Sequence, residues 1–410
     1  MPECARMNAS ASSLARVFLA TLFATACSDA TGPGDGPPGP TNPWDSAPRS
    51  LAACSSAPPF TRALVDPADL VEVSPQGYVS PPAKTFPTPH MGFSTFWEPG
   101  MVGADPAPVW APADIVVTEV AFVRYSNPRT GEVFLEDFAL RFQPCREILM
   151  YIGHLSELTP ALLDSAGPIP GPGAECPEPY LANHTLVEGC RKRTDFRVPA
   201  GDRLGTMGGP GQSAMDVGLY DHTRPPLEYV NPARTGGGGM LDNNFIACPL
   251  DFFVPEIRSA YLALNPRTAP PRCGQMMQDV ASTLQGRWYV DDQQGDDRHG
   301  GFFLDWLDPE ILIVAMGHSV PSIPAGGYQF RAATPAEAPA RVNRAFREVT
   351  PGPEIHCFER REGGGRWLQD VVILVRLAAA DRVLVEGVDR TACGDPAGWS
   401  LTNAAVEFRR

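Results

Sequence analysis

Proline and glycine interrupt this chain so often that long helices have little room. There are 45 prolines and 39 glycines among 410 residues, and each interior proline removes a backbone donor and clashes with the preceding helical turn. The apolar runs that remain are strand-sized. Ile115 to Val123 is a long β-rich run, Phe138 to Phe142 alternates, and Glu147 to Ile152 follows as another strand. Thr159-Pro160 offers an N-cap and a first-turn proline for a short helix from Ala161 to Ser165, with Gly167 as its stop. Arg197 to Asp221 returns to strands and glycine turns. Beyond Cys273 the strand candidates are Trp288 to Val290, Ile311 to Val314, Tyr328 to Phe330, Ile355 to Phe358, Val371 to Leu377, Val383 to Val388 and Val406 to Phe408, with a hairpin turn at Ala378 to Asp381. No helix is long enough to imply a parallel α/β sheet, and no internal repeat appears. The expected fold is mainly β: an N-terminal antiparallel β domain followed by a second all-β barrel or sandwich domain.

The N-terminus carries an export layout. Arg16 is followed by an apolar run from Val17 to Phe23, the small residues Ala24-Thr25-Ala26, and Cys27. The run is too short to span a bilayer, which takes ~20 residues. The cysteine directly after the small residues resembles a bacterial lipoprotein signal, in which the peptide is cut before the cysteine and the cysteine is acylated. The resemblance implies a signal peptide over 1–26, a lipid on Cys27, and a membrane held through that lipid anchor alone. By the sorting pattern of Gram-negative lipoproteins, Ser28 directs the chain to the outer membrane. An ordinary signal peptide with a chance cysteine is the plainer alternative. Residues 27–63 are rich in Pro, Gly, Ser and Ala and read as a linker. Residues 64–272 and 273–410 then form the two β bodies.

Export permits disulfides. Beyond Cys4 and Cys27, eight cysteines remain. Spacing favours Cys248 with Cys273 and Cys357 with Cys393, and Cys176 with Cys190 would close a Pro-rich loop. No Cys-x-x-Cys pair occurs, so neither a zinc ribbon nor a redox motif is expected. The formal net charge is −14. An acidic surface argues against nucleic acid and against electrostatic adhesion to anionic lipid.

The chemistry-bearing residues lie between His90 and Asp221. The segments read PHMGFSTFWEPG, PVWAPADIVVTEV, LMYIGHLSEL, VPAGDRLGTMGG and SAMDVGLYD. In that order and spacing, over residues 78 to 222, the chain resembles the lysostaphin-type zinc endopeptidases of duplicated-hybrid-motif fold. The family pattern runs His-x-Gly-x-Asp, two β runs, Tyr-x-His-Leu-Ser, a glycine turn and a terminal His-x-His strand. Zinc there takes three protein ligands and keeps an open position for water. The resemblance places His90 at the first ligand and Ser94 at the ligand aspartate. It places His154 at the accessory catalytic histidine, Ala214 at the other catalytic imidazole, and Asp216 at the last ligand imidazole. Only His90 and His154 keep the family residue. His90, His154 and Asp216 still make a valid donor set by type, with His154 moved from proton transfer to ligation. In the plainer reading, His90 caps a strand, His154 is a satisfied polar residue at a strand end, and Asp216 bonds neighbouring backbone.

Other signals are weaker. Gly286-Arg287-Trp288 resembles the Gly-x-Trp at the start of calycin barrels over three residues. Asp291, Asp292, Asp296 and Asp297 read as a solvated acidic loop, since no bidentate Glu stands at EF-hand spacing. Gly236 to Gly239 is not a phosphate cradle, and no Gly-x-Ser-x-Gly elbow occurs. Two functions stay open. One is a non-catalytic envelope lipoprotein binding peptidoglycan or an envelope protein, with no cofactor. The other is a zinc metallohydrolase with a rearranged His/His/Asp site.

Overall fold

The computed structural model describes residues 51–410 apart from 56–58, 83, 96–105, 183, 210–211, 213, 236–238, 291–298, 319 and 361–369. The signal, Cys27 and the acidic loop of Asp291, Asp292, Asp296 and Asp297 lie outside the described residues. The described fold is mainly β, and its two largest hydrophobic cores are separate.

Twelve strands form the first sheet. They are β1 (Glu72–Ser74), β2 (His90–Ser94), β3 (Ala107–Trp110), β4 (Ile115–Ser126), β5 (Val133–Cys145), β6 (Ile148–Leu158), β7 (Ala174–Glu175), β8 (Tyr180–Ala182), β9 (Thr185–Val198), β10 (Arg203–Met207), β11 (Ala214–Asp221) and β12 (Ile246–Ala247). The order is β1-β2-β11-β6-β5-β4-β9-β7. In addition, β10 joins β3 to β6, β12 pairs with β11, and β8 pairs with β9. Every pairing is antiparallel. Alternate side chains of a strand face opposite sides, and the sequence obeys this across the middle of the sheet. Met91, Phe93, Met150, Ile152, Met215 and Val217 are all fully buried in one core, whereas the residues between them turn to the other face.

The helix expected after β6 spans Pro160–Ala166. The Thr159 hydroxyl accepts from Leu162 N, and Gly167 ends the helix at φ 70°. A second helix, Pro255–Ala263, buries Tyr261, whose hydroxyl donates to Val65 O and accepts from Leu64 N and Val65 N. The segment 51–63, expected as the end of the linker, is instead fastened to this body where it is described. Cys54 is disulfide-bonded to Cys145, and Phe60 is fully buried against Phe253. Its Pro- and Ser-rich composition masks two strong attachments, one covalent and one aromatic.

The second sheet has eight strands: β13 (Gly286–Tyr289), β14 (His299–Leu304), β15 (Ile311–Met316), β16 (Gly326–Arg331), β17 (His356–Phe358), β18 (Val372–Ala379), β19 (Arg382–Val388) and β20 (Val406–Arg409). Their order, β16-β15-β14-β13-β20-β19-β18-β17, is two runs of hairpins joined at β13 and β20. The sheet curls over a core of Trp288, Phe302, Tyr328, Phe330, Phe346 and Phe358. Trp288 donates to Leu284 O, and the Arg410 guanidinium lies 4.0 Å over its ring. The two bodies meet on an aromatic seam, with Tyr78 against Trp306 and Phe86 against Tyr289 and Phe303. Arg267 donates across it to the Asp305 and Trp306 carbonyls. The eight described cysteines form four disulfides: Cys54–Cys145, Cys176–Cys190, Cys248–Cys273 and Cys357–Cys393.

Candidate functional site

Three neighbouring strands build the site. β11 lies between β2 and β6, with Gly218 opposite His90 and Asp216 opposite both Gly92 and Gly153. This register sets His90 and Asp216 on the same face, away from the core. Glycines keep that face low. A side chain at Gly218 would run into the Tyr151 ring, with Cβ only 2.3 Å from Tyr151 Cε1.

His154 reaches the same face by an irregularity. In a regular strand it would point into the core, because Gly153 already faces Asp216. Instead β6 carries an extra residue there. Its pairing with β5 shifts register between Leu140–Ile152 and Phe138–Leu155. His154 sits at φ 63°, a left-handed backbone that a histidine rarely adopts. This β-bulge lets Gly153 and His154 both serve the site, while Leu155 returns to the core with no exposure.

The side chains form a continuous relay. His154 Nδ1 is 2.7 Å from Asp137 Oδ2, and His154 Nε2 is 3.4 Å from Asp216 Oδ2. Asp216 Oδ1 is 3.2 Å from His90 Nδ1, and His90 Nε2 is 3.4 Å from Lys84 Nζ. His90, Asp137 and Asp216 are buried. Lysine only donates, so His90 Nε2 accepts and His90 Nδ1 carries the proton toward Asp216. Burial agrees, since it pushes the His90 imidazole down to about 4, opposed by the Asp216 carboxylate. Burial alone would raise the Asp216 carboxyl. The charges of His90 and His154, together with the His154 hydrogen bond, outweigh it and hold the group well below the ordinary carboxylate range. Both His154 nitrogens face carboxylate oxygens, Nδ1 toward Asp137 and Nε2 toward Asp216.

Two members of the relay escaped the sequence reading. Asp137 stands one residue before the alternating run Phe138 to Phe142, on the polar side of that alternation, but its partner is set by a bulge that no residue pattern announces. Lys84 lies in a Pro-rich loop without periodicity.

His90, His154 and Asp216 thus come together, and Ser94 does not join them. Ser94 pairs with Ala214 and lies on the same straight strand as His90. Four residues of strand span about 13 Å, too far to share one ion. This departs from the ligand spacing that the lysostaphin resemblance implies. Among the described residues, no group of three or more His, Cys, Asp or Glu side chains is arranged to hold a metal ion. As placed, the Asp216 carboxylate fills the space between the two imidazoles, and the Lys84 ammonium approaches from outside. The donor types suit zinc, but their arrangement satisfies them mutually.

No family model, curated protein or solved structure matches the chain. Among the described residues no helix is long and apolar enough to cross a membrane.

Proposed function

We propose that this protein is an exported lipoprotein of the cell envelope, anchored through Cys27 on the outer membrane. Its N-terminal β body is a lysostaphin-type domain that binds peptidoglycan or an envelope protein and does not hydrolyse it. The observation that carries this reading is Asp216 hydrogen-bonded between His90 and His154. A carboxylate stands where a hydrolase of this type needs a ligand imidazole, Ala214 stands where it needs a proton-transfer group, and Ser94 is out of reach. The strand order β2-β11-β6 supports the domain assignment, because it brings the motif positions of three distant segments side by side. Four disulfides suit an oxidising compartment.

The test is cosedimentation with purified wall sacculi. The expected result is protein in the pellet and no soluble wall fragments, with or without zinc. Zinc-dependent release of fragments, abolished by His90→Ala, would overturn the reading.

One observation favours the second reading, a metallohydrolase with a His90/His154/Asp216 centre. Asp137 holds His154 Nδ1 at 2.7 Å, which is how an outer carboxylate orients a metal-bound imidazole. In that case Asp216 would have to leave its present position between the rings.

A further inference from the structure

One end of the relay rests on a hairpin that the second body grips. The hairpin's arms, residues 77–80 and 84–88, bond each other. Gly77 N donates to Thr88 O, Thr88 N to Tyr78 O, Ser80 N to Lys84 O and Lys84 N to Ser80 O. Its base is fastened to the first body. There the buried Gln76 donates from Nε2 to Pro89 O and Ala247 O, and from its backbone N to Cys273 O. Its arms lie on the second body. Val79 is buried in a cluster with Phe303, Ile313 and Ala315 of β14 and β15, and Phe86 packs against that cluster. The Phe86 ring lies 5.2 Å from the Tyr289 ring and 5.2 Å beneath the Arg287 guanidinium. Tyr78 meets Trp306 edge-on at 5.1 Å.

The same hairpin carries Lys84 and leads into β2 at His90. Lys84 Nζ stands 3.4 Å from His90 Nε2, and the two residues are six positions apart. The seat of the hairpin therefore fixes the seat of the ammonium. Its charge is felt by both partners of the buried pair. Burial lowers the His90 imidazole, the Asp216 carboxylate opposes this, and Lys84 lowers it further. Burial raises the Asp216 carboxyl, and the charges of His90, His154 and Lys84 all oppose that. A divalent ion drawn to His90 and Asp216 would bring two more positive charges beside the ammonium. In a site withdrawn from solvent, such repulsion is only weakly screened. The donor types still suit zinc, so the obstacle is a cation of the chain itself.

We infer that the second body keeps divalent cations out of the relay. It grips the hairpin, and the hairpin holds the Lys84 ammonium beside His90, where it takes a metal ion's place. Val79 and Phe86 find their apolar surroundings on β14 and β15, so the first body alone does not hold the arms in this position. Loosening the seam should therefore open the relay to metal. The inference rests on the relay as read above, closed and without metal, and adds what keeps it closed.

The experiment titrates zinc alone into the full chain in detergent, by calorimetry at neutral pH. Lys84→Met should bind zinc at least about tenfold tighter than wild type, equivalent to about 1.4 kcal/mol. Lys84→Arg, which keeps the cation, should not. Phe86→Ala and Tyr78→Ala loosen the seam and should shift the affinity in the same direction as Lys84→Met. Phe86→Ala combined with Lys84→Met should bind no tighter than Lys84→Met alone, since Phe86 acts through Lys84 and coupled positions are not additive. Urea midpoints establish that each variant folds. Tyr78 is 39% exposed, so its variant carries the test if Phe86→Ala does not fold. Zinc affinity of Lys84→Met equal to that of wild type would overturn the inference and leave the metal-free relay intact. Seam variants without effect on zinc, or with an effect that adds in full to that of Lys84→Met, would overturn control by the second body. Tight zinc binding by the wild type would overturn the metal-free reading itself. Failure to sediment with sacculi would strike the proposed wall binding and leave the exclusion at Lys84 standing.

Discussion

Asp137 Oδ2 lies 2.7 Å from His154 Nδ1, the closest contact of the relay, and joins β5 to a residue of β6 whose backbone is left-handed. Such a conformation costs on the order of 1 kcal/mol in a non-glycine residue. It persists here because two buried carboxylates hold the ring from both ends. His154→Ala keeps the backbone strain and leaves Asp137 and Asp216 without their shared partner. Breaking a buried pair from one side costs about 3 to 5 kcal/mol. His154→Gly loses the same partner but accepts φ 63° freely, so it should be the milder change by about 1 kcal/mol. Urea unfolding of the two variants measures the difference. An alanine variant as stable as the glycine one would mean that position 154 carries no left-handed strain once the ring is removed.

Stability should fall in mild acid. The His90 imidazole is held down to about 4 in the folded chain, against an ordinary value of 6.5. Below pH 6.5 the unfolded chain takes up a proton that the folded chain refuses, so the unfolded state gains. The contribution is fully present above pH 6.5 and is lost as pH falls toward 4, by up to about 3 kcal/mol. His222 and His356 are also lowered, chiefly by burial, and act in the same direction. The Asp216 contribution is present above its ordinary 3.8 and is lost only at lower pH still. His90→Asn should therefore flatten the slope between pH 6.5 and 4 without abolishing it. Denaturation midpoints across that interval, for wild type and variant, provide the check.

The link between Cys54 and Cys145 closes a loop of 91 residues. By chain entropy such a closure contributes about 4 to 5 kcal/mol, with measured values often lower. Replacing both cysteines by serine should lower the thermal midpoint more than removing Cys176–Cys190, which spans 14 residues. Calorimetry of the two double variants decides it.

Cys27→Ser should move the protein from membranes to soluble fractions. Anchoring rests on acyl chains, each buried methylene contributing about 0.8 kcal/mol. Equal incorporation of labelled fatty acid by wild type and variant would count against a lipid on Cys27.

Periodicity was a good guide where strands are buried on one side. Ile115 to Val123 and Val383 to Val388 fall within β4 and β19, and all of Glu147 to Ile152 but its first residue falls within β6, because apolar alternation there records a core. It was a poor guide for β9, whose Arg191-Lys192-Arg193 stretch alternates between half-buried and exposed positions. Charged residues dominate a strand that the core barely touches. β14 went unread because Gly300 and Gly301 dilute its apolar pattern. At the site, the resemblance brought His90, His154 and Asp216 to attention. Their mutual satisfaction, the absence of Ser94 and the part of Asp137 all depend on a register and a bulge, which are properties of pairing and not of one strand's sequence.

The central claim is that His90, Asp216 and His154 satisfy one another and not a metal ion. Nitrogen-15 NMR of the histidine rings at neutral pH, before and after one equivalent of zinc, tests it most directly. The expected spectrum has His90 neutral with its proton on Nδ1, and the ring nitrogens of His90 and His154 are unchanged by zinc. Zinc-induced shifts of the ring nitrogens of His90 and His154 together would contradict it.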